Sequence, residues 1–285
     1  MRPADPAPIA NAMSVDVEDY FQVHALAERI ARADWEVLPR RVEHSTERVL
    51  ALFADHGARA TFFMLGWVAE RHPALVRRIV AAGHELASHG VEHIRADAQD
   101  EPAFRADVRR SRRLLEDIAG VPVNGYRAAS FSIGARNLWA FRVLAEEGYR
   151  YSSSVYPVRH DQYGMPSAPR FAFRMAELDG FVELPITTVA WRGRRLPCGG
   201  GGYFRLLPYG LSRRMLRRVN RADGRPCTFY FHPWEIDPDQ PRQHGLAWRA
   251  RFRHYTNLSR MENKVTRLLR DFRWDRLDRV HGLAA

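Results

Sequence analysis

Short apolar runs alternate along the chain with longer stretches whose apolar residues recur every three or four positions. NAMSVDV (11–17) reads as a strand. VEHSTERVLALFADHG then sets Val42, Val49, Leu50 and Phe53 on one helical face, with Gly57 as the stop. RATFFML (59–65) predicts a second strand. HPALVRRIVAAG predicts a helix with Pro73 in its first turn and Gly83 past its end. HELAS (84–88) reads as a short third strand, and EPAFRADVRRSRRLLEDIAG as a helix with Phe104, Val108, Leu115 and Ile118 near one stripe. VPVNGYR (121–127) is the fourth strand, ARNLWAFRVLAEEG a helix closed by Gly148, and YRYSSSV the fifth strand. GFVELPITTVAW is the sixth and CTFYFHP (227–233) the seventh. From about 240 onward the pattern is helical and rich in arginine and aromatic residues.

Repeated strand–helix alternation implies parallel strands joined by crossover helices, an α/β class. Seven such strands suit a barrel, complete or incomplete, better than an open sheet. In barrels of this kind the chemistry sits where strands end and the following loops begin. The reactive residues fall there. Asp16, Glu18 and Asp19 close the first strand, His89 follows the third, Arg127 ends the fourth and His232 ends the seventh.

Composition narrows the class. The chain has 285 residues, 46% of them hydrophobic, enough for a sizeable core. No run of 18 apolar residues is present, so no transmembrane segment is expected. The N-terminal stretch lacks the apolar region of a secretory signal. A cytoplasmic location is therefore the expectation, with a periplasmic or membrane-associated one as the alternative. Cys198 and Cys227 lack zinc-ribbon spacing and read as structural. The net charge of +11 is almost all arginine, Lys264 being the only lysine. The arginines are dispersed over helical stretches, as on solvated faces, and no motif supports nucleic-acid binding.

SHGVEH (88–93) spaces His89 and His93 four apart. Side chains at that spacing point the same way in a helical turn or a loop imitating one, and two convergent imidazoles hold a divalent ion. A lone pair of this kind is more often two surface histidines; the strand-end rule reverses this, because the acidic DVED cluster sits on the same rim. HELASH imitates the HExxH of zinc proteases, but its spacing is HExxxH, which leaves His84 as a strand histidine. Clustered carboxylates repel one another, and a cation relieves this. Asp16 and Glu18 share a strand face, so one can bind metal while the other acts as base. PCGGGGYFRLLPYG (197–210) lacks the lysine of a phosphate loop and reads as a mobile or tightly turned loop near the site.

SVDVEDYF, ATFFMLGWVAERHPALVRRIVAAGHELASHG, SHGVEH, GYRAASFSI, ELPITT and FYFHPWEID, in this order, resemble the polysaccharide deacetylases of carbohydrate esterase family 4, the NodB-homology family. The likeness is strongest to the subfamily found beside exosortase and exopolysaccharide genes. It implies a distorted (β/α)7 barrel over 10–240, with a helical extension, 241–285, packed on it. It also implies removal of N-acetyl groups from an N-acetylated polysaccharide or oligosaccharide with a divalent ion, zinc first and cobalt or another ion as alternatives. By motif, Asp16 matches the catalytic base, Arg127 the arginine that orients it and His232 the general acid. His89 and His93 match the metal histidines. The third ligand falls on Glu18, with Asp19 as the alternate, because Val17 occupies the usual acidic position. Ala129 replaces the usual proline, and the acidic partner of His232 is unplaced, Glu235 being a nearby candidate. Trp234, Tyr20 and Ser130 are the expected substrate contacts, with Phe21, Trp191 and Tyr203 as further aromatic candidates. The competing readings are an allantoinase-like C–N hydrolase and a catalytically inactive polysaccharide-binding barrel. The sequence leaves the oligomeric state open.

Overall fold

The computed structural model describes residues 9–27, 29–161 and 163–284. Its strands are β1 (Ala10–Val17), β2 (Thr61–Met64), β3 (Glu85–Ser88), β4 (Gly125–Tyr126), β5 (Tyr151–Ser152), β6 (Phe173–Met175), β7 (Phe181–Glu183), β8 (Thr188–Trp191), β9 (Arg194–Pro197), β10 (Thr228–Phe231) and β11 (Arg273–Asp275). The helices are α1 (Val42–Asp55), α2 (Gly66–Arg71), α3 (Pro73–Ala81), α4 (Glu101–Ala119), α5 (Trp139–Glu146), α6 (Gly201–Leu206), α7 (Tyr209–Arg218), α8 (Trp248–Tyr255), α9 (Leu258–Asp271) and α10 (Leu277–Val280). Seven parallel strands run in the order β10-β1-β2-β3-β4-β5-β7; β6 adds antiparallel to β7, and β11 pairs with the start of β1. This is the distorted (β/α)7 barrel expected from the sequence.

Local chemistry explains the boundaries. Helix α4 begins where the Asp100 carboxylate accepts the Ala103 amide, and it stops at Gly120 with φ 66°. Side chains alternate along each strand. Met13, Val15 and Val17 join the layer beneath the helices, whereas Ala12, Phe63, Ala87, Tyr151, Val182 and Leu184 form a separate cluster inside the barrel. The small Ala12 and Ala87 leave room for the rings of Phe63 and Tyr151.

The sixth predicted strand is corrected. It divides into β7 and β8, and β8 turns away into a two-stranded hairpin with β9. The break falls at the barrel seam, where no continuous ladder joins β7 to β10. There Thr187 N–H donates to the Thr228 carbonyl (3.2 Å), and Tyr230 N–H donates to the Gly199 carbonyl (2.8 Å). A Cβ on Gly199 would sit 2.5 Å from the Thr228 carbonyl oxygen. The glycine run is therefore a seam that needs close backbone approach.

The end of the chain fills the other mouth of the barrel. Leu277 belongs to the inner cluster; its N–H donates to Thr61 Oγ1 (2.8 Å), and the Asp278 N–H donates to Glu85 (3.3 Å). The single lysine also acts here. Lys264 Nζ on α9 donates to the carbonyls of Phe204, Arg205 and Leu207 at the end of α6, at 3.0, 2.8 and 2.8 Å. A compact ammonium with three donors suits three converging carbonyls. The arginines of α4 and α5 pair with glutamates: Arg105, Arg109 and Arg142 contact Glu101, Glu146 and Glu147. Such exposed pairs contribute little each, because water screens them. Cys198 and Cys227 are buried and unpaired. Among the described residues no helix is long and apolar enough to cross a membrane.

Leu277→Ala is expected to destabilise the fold by about 2–5 kcal/mol through the cavity it leaves inside the barrel. Chemical denaturation of the variant against wild type measures this.

Candidate active site

The first strand delivers three carboxylates to three environments. Asp16 lies in register with Phe63 and faces the barrel interior, buried. The strand stops at Val17, where Glu18 N–H folds back to the Asp16 carbonyl (3.1 Å). Glu18 is also buried. Asp19 turns away from both. Its Oδ2 accepts the amides of Arg41 (2.8 Å) and Val42 (3.0 Å) at the start of α1, and its Oδ1 accepts the Tyr20 amide (2.9 Å). An anion at a helix N-terminus is a structural anchor. Asp19 is thus corrected as the alternate ligand, its oxygens being committed elsewhere; burial nevertheless pushes its carboxyl up to about 6.

The two histidines converge on a loop rather than a helix. Gly90 has φ 77° and His93 φ 56°, both in the left-handed region. A Cβ on Gly90 would crowd the Asp107 carboxylate at 2.9 Å, and the same carboxylate accepts the Val91 amide (3.1 Å). The rings of His89 and His93 lie 5.1 Å apart. His89 Nδ1 pairs with the Arg127 carbonyl (2.8 Å), so Nδ1 carries the proton and Nε2 is the free ligand atom. Burial lowers His89 to about 4, the neutral form a metal needs.

Glu18, His89 and His93 present ligand atoms all within 4.8 Å of one another. Glu18 Oε2 is buried, accepts no hydrogen bond among the described residues and faces His93 Nε2 at 2.9 Å. Burial alone would raise Glu18, but the charges of His93, His232 and His89 pull it down to about 2. Two imidazole nitrogens and one ionised carboxylate with an orphaned oxygen fit a divalent ion of the zinc type.

Arg127 and His232 flank this trio. The buried guanidinium of Arg127 donates from Nη1 to Asp16 Oδ1 (2.5 Å), from Nε to the Ser153 carbonyl (3.0 Å) and from Nη2 to Ser153 Oγ (2.9 Å). It also lies 4.0 Å above the Phe63 ring. His232, just past β10, sets Nε2 at 3.3 Å from Glu18 Oε1 and 3.9 Å from Asp16 Oδ2. Its Nδ1 pairs with Glu235 Oε1 (2.8 Å), and Glu235 Oε2 accepts from Arg205 Nε (2.6 Å). Burial would lower His232, but Glu18, Glu235 and Asp16 raise it to about 9. Glu235 fits only because position 201 is glycine, where a Cβ would meet its carboxylate at 2.2 Å.

The expected aromatic contacts are redistributed. Tyr20 and Phe21 are core residues, so neither ring offers a sugar platform. Trp234 is sandwiched between His232 (5.2 Å, 23°) and His254 (4.4 Å, 14°), and it braces the histidine. Trp191 lies out on the β8–β9 hairpin under Arg218. Ser130 and Phe131 form a left-handed turn (φ 54° and 51°) after Ala129, a strained geometry of the kind that gathers at functional sites. Sequence reasoning missed Arg205 and His254. Glu235 was readable from its spacing of three from His232.

Fold and site together define a (β/α)7 barrel with a candidate metal centre and a flanking carboxylate and imidazole at the carboxyl ends of its strands. Residues 34–152 match the family described as polysaccharide deacetylase, and residues 153–282 match a domain of unknown function (DUF3473). A chitooligosaccharide deacetylase of Rhizobium leguminosarum bv. trifolii is 36% identical over 72 residues, 25% of this chain and 34% of that protein. The chain thus spans about a third of that relative's length. A candidate polysaccharide deacetylase structure from Mycobacterium smegmatis has a TM-score of 0.64 at 20% identity, covering 99% of this chain and 92% of the other. The Puue allantoinase structure reaches 0.60 at 16% identity, covering 98% and 94%. These two likenesses carry the fold alone. The deacetylase match thus covers residues 34–152 and not the whole chain, which is similar to the polysaccharide deacetylases over that stretch.

Arg127→Met is expected to cost about 3–5 kcal/mol in chemical denaturation, because it strands Asp16 as a buried, unpaired charge. In the metal-free protein, His232 should titrate near pH 9 by NMR, and Glu235→Gln should lower that midpoint. The folded value lies above the ordinary ~6.5, so His232 stabilises the fold fully below about pH 6.5 and that contribution is lost as pH rises through the folded midpoint.

Proposed function

We propose that the protein removes N-acetyl groups from amino-sugar residues of a bacterial exopolysaccharide by metal-assisted hydrolysis. The observation that carries this reading is the convergence of the Glu18–His89–His93 trio with Asp16 on one side and His232 on the other. Glu18, His89 and His93 would hold a divalent ion, with zinc favoured by the donor set, supplying Lewis acidity toward the amide carbonyl and a lowered pKa for water.

The chain's own groups do the rest. Asp16 accepts a proton from the water that attacks the acetamide carbon. Arg127 donates to Asp16 Oδ1 and leaves the other oxygen, Oδ2, facing His232. Glu18, Glu235 and Asp16 hold His232 protonated above neutral pH, and it gives a proton to the nitrogen as the C–N bond breaks. Glu235 fixes its tautomer and orientation. The products are acetate and a free amine on the sugar. The relative named as a chitooligosaccharide deacetylase supports an N-acetylated glycan as the substrate class.

Asp16→Asn should retain stoichiometric metal by elemental analysis while acetate release from an N-acetylated oligosaccharide falls by a factor of about 10²–10⁴, the usual worth of a general base. Full turnover by this variant removes Asp16 from the role. Turnover of allantoin in place of acetate release by wild type moves the chain to the ring-amidase reading.

A further inference from the structure

We propose that helix α8 and the α6 residue Tyr203 form a binding site for the glycan chain itself, with Trp248 as its outer platform. The inference rests on the deacetylase reading and adds the direction in which the polymer lies.

A groove of about 490 Å³ is lined by Tyr203, Tyr230, Trp234, Trp248, Arg249 and Phe252, among others. That volume is in the range of small-molecule sites, ~300–1,000 Å³. The groove adjoins the candidate active site: two of its lining residues, Trp234 and Tyr230, contact the His232 ring, Trp234 by stacking and Tyr230 edge-on at 5.7 Å. The chemistry of the cleavage then fixes what occupies it. When the amide is hydrolysed, the acyl carbon departs as acetate and the nitrogen stays on the sugar. The group that protonates the nitrogen must face the nitrogen, and hence the sugar to which it is bonded. A groove walled by the two rings packed against His232 therefore lies on the polymer's side of the scissile bond.

The lining suits that occupant. Trp248 is 72% exposed and Phe252 51% exposed, so these rings contribute little to the fold. Exposed aromatic rings beside guanidinium donors offer flat apolar faces for sugar C–H groups and hydrogen bonds for hydroxyl and acetamide oxygens. The wall is also fixed relative to the chemistry. Arg205, the buried side chain that holds Glu235, donates to the carbonyls of His254 (3.0 Å), Thr256 (2.7 Å) and Arg253 (2.8 Å) at the end of α8. One guanidinium thus ties the groove wall to the proton donor.

Full-length Trp248→Ala and Phe252→Ala proteins, metal-loaded, are assayed on the pentamer and dimer of β-1,4-linked N-acetylglucosamine. The advantage of pentamer over dimer in kcat/KM should fall about tenfold, mostly through KM, the worth of one good aromatic contact. Activity on the dimer should stay within about twofold of wild type, as for loss of an outer contact alone. In parallel, the Trp248 indole N–H resonance, assigned by its loss in Trp248→Ala, is followed while the pentamer is titrated into Asp16→Asn. A saturable shift is expected. Unchanged length dependence in both variants overturns the proposal, as does an indole resonance that responds to protein concentration and not to the pentamer. If wild type releases no acetate but the resonance shifts saturably, the groove stands and the deacetylase reading falls.

Discussion

The buried contact between Arg127 and Asp16 organises the mouth of this barrel. A guanidinium with no exposure and a carboxylate almost as deep are held at 2.5 Å, with two further donations to Ser153 and an aromatic face below. Two charges removed from water are tolerated only when each is so fully partnered. The same residue also sets the metal trio, because its main-chain carbonyl fixes the His89 tautomer. Side chain and backbone of one residue thereby link the candidate base to a candidate ligand. The two-residue strand β4 ends immediately before Arg127, whose main-chain carbonyl and side chain both have assigned partners.

The second half of the chain completes the site and is not an appendage to it. The matched deacetylase stretch, 34–152, holds His89, His93 and Arg127, but Asp16 and Glu18 precede it and His232 lies in the following stretch. The parallel sheet crosses the boundary without a break, since β5 pairs with β7 and β10 returns to β1. Arg205, Glu235 and the Trp234–His254 stack then brace His232 from residues beyond 200. The last helix fills the opposite mouth with Leu277.

Much of this was legible because parallel barrels confine chemistry to strand ends, and strands end where apolar runs meet turn residues. Asp16, His89, Arg127 and His232 could be set on one rim from that rule alone. What was not legible needed distances across the chain. Asp19 and Glu18 are equivalent in composition, and only the approach of α1 shows that the amides of Arg41 and Val42 claim Asp19. Tyr20 looked available for sugar stacking, but the chain turns inward after Glu18 and buries it. The glycine run was readable as a place of close approach, yet its partners, the Thr228 carbonyl and the Glu235 carboxylate, are tertiary facts. Repeated strand–helix alternation gave the class, while the split of the sixth strand followed from a seam that no local pattern encodes.

Three carboxylates within four residues have the same need and meet it in three ways, and this difference assigns their roles. Each is taken from water, so each negative charge requires compensation close by. Asp16 has a permanent cation in Arg127, and an added divalent ion would be redundant there. Asp19 has the amides at the start of α1, a fixed partial positive charge it cannot leave without uncapping the helix. Among the described residues Glu18 has only imidazoles, whose charge depends on protonation, and one of its oxygens is left without a hydrogen bond. Of the three it is the one whose compensation is incomplete and exchangeable. A site that must accept an ion needs that kind of carboxylate, whereas one that must accept a proton reversibly needs its charge anchored from behind and a free oxygen in front, as Asp16 has. The (β/α)7 sheet is common to a deacetylase candidate and an allantoinase; the distribution of countercharges around residues 16–19 belongs to the site, and it is the level at which function is decided.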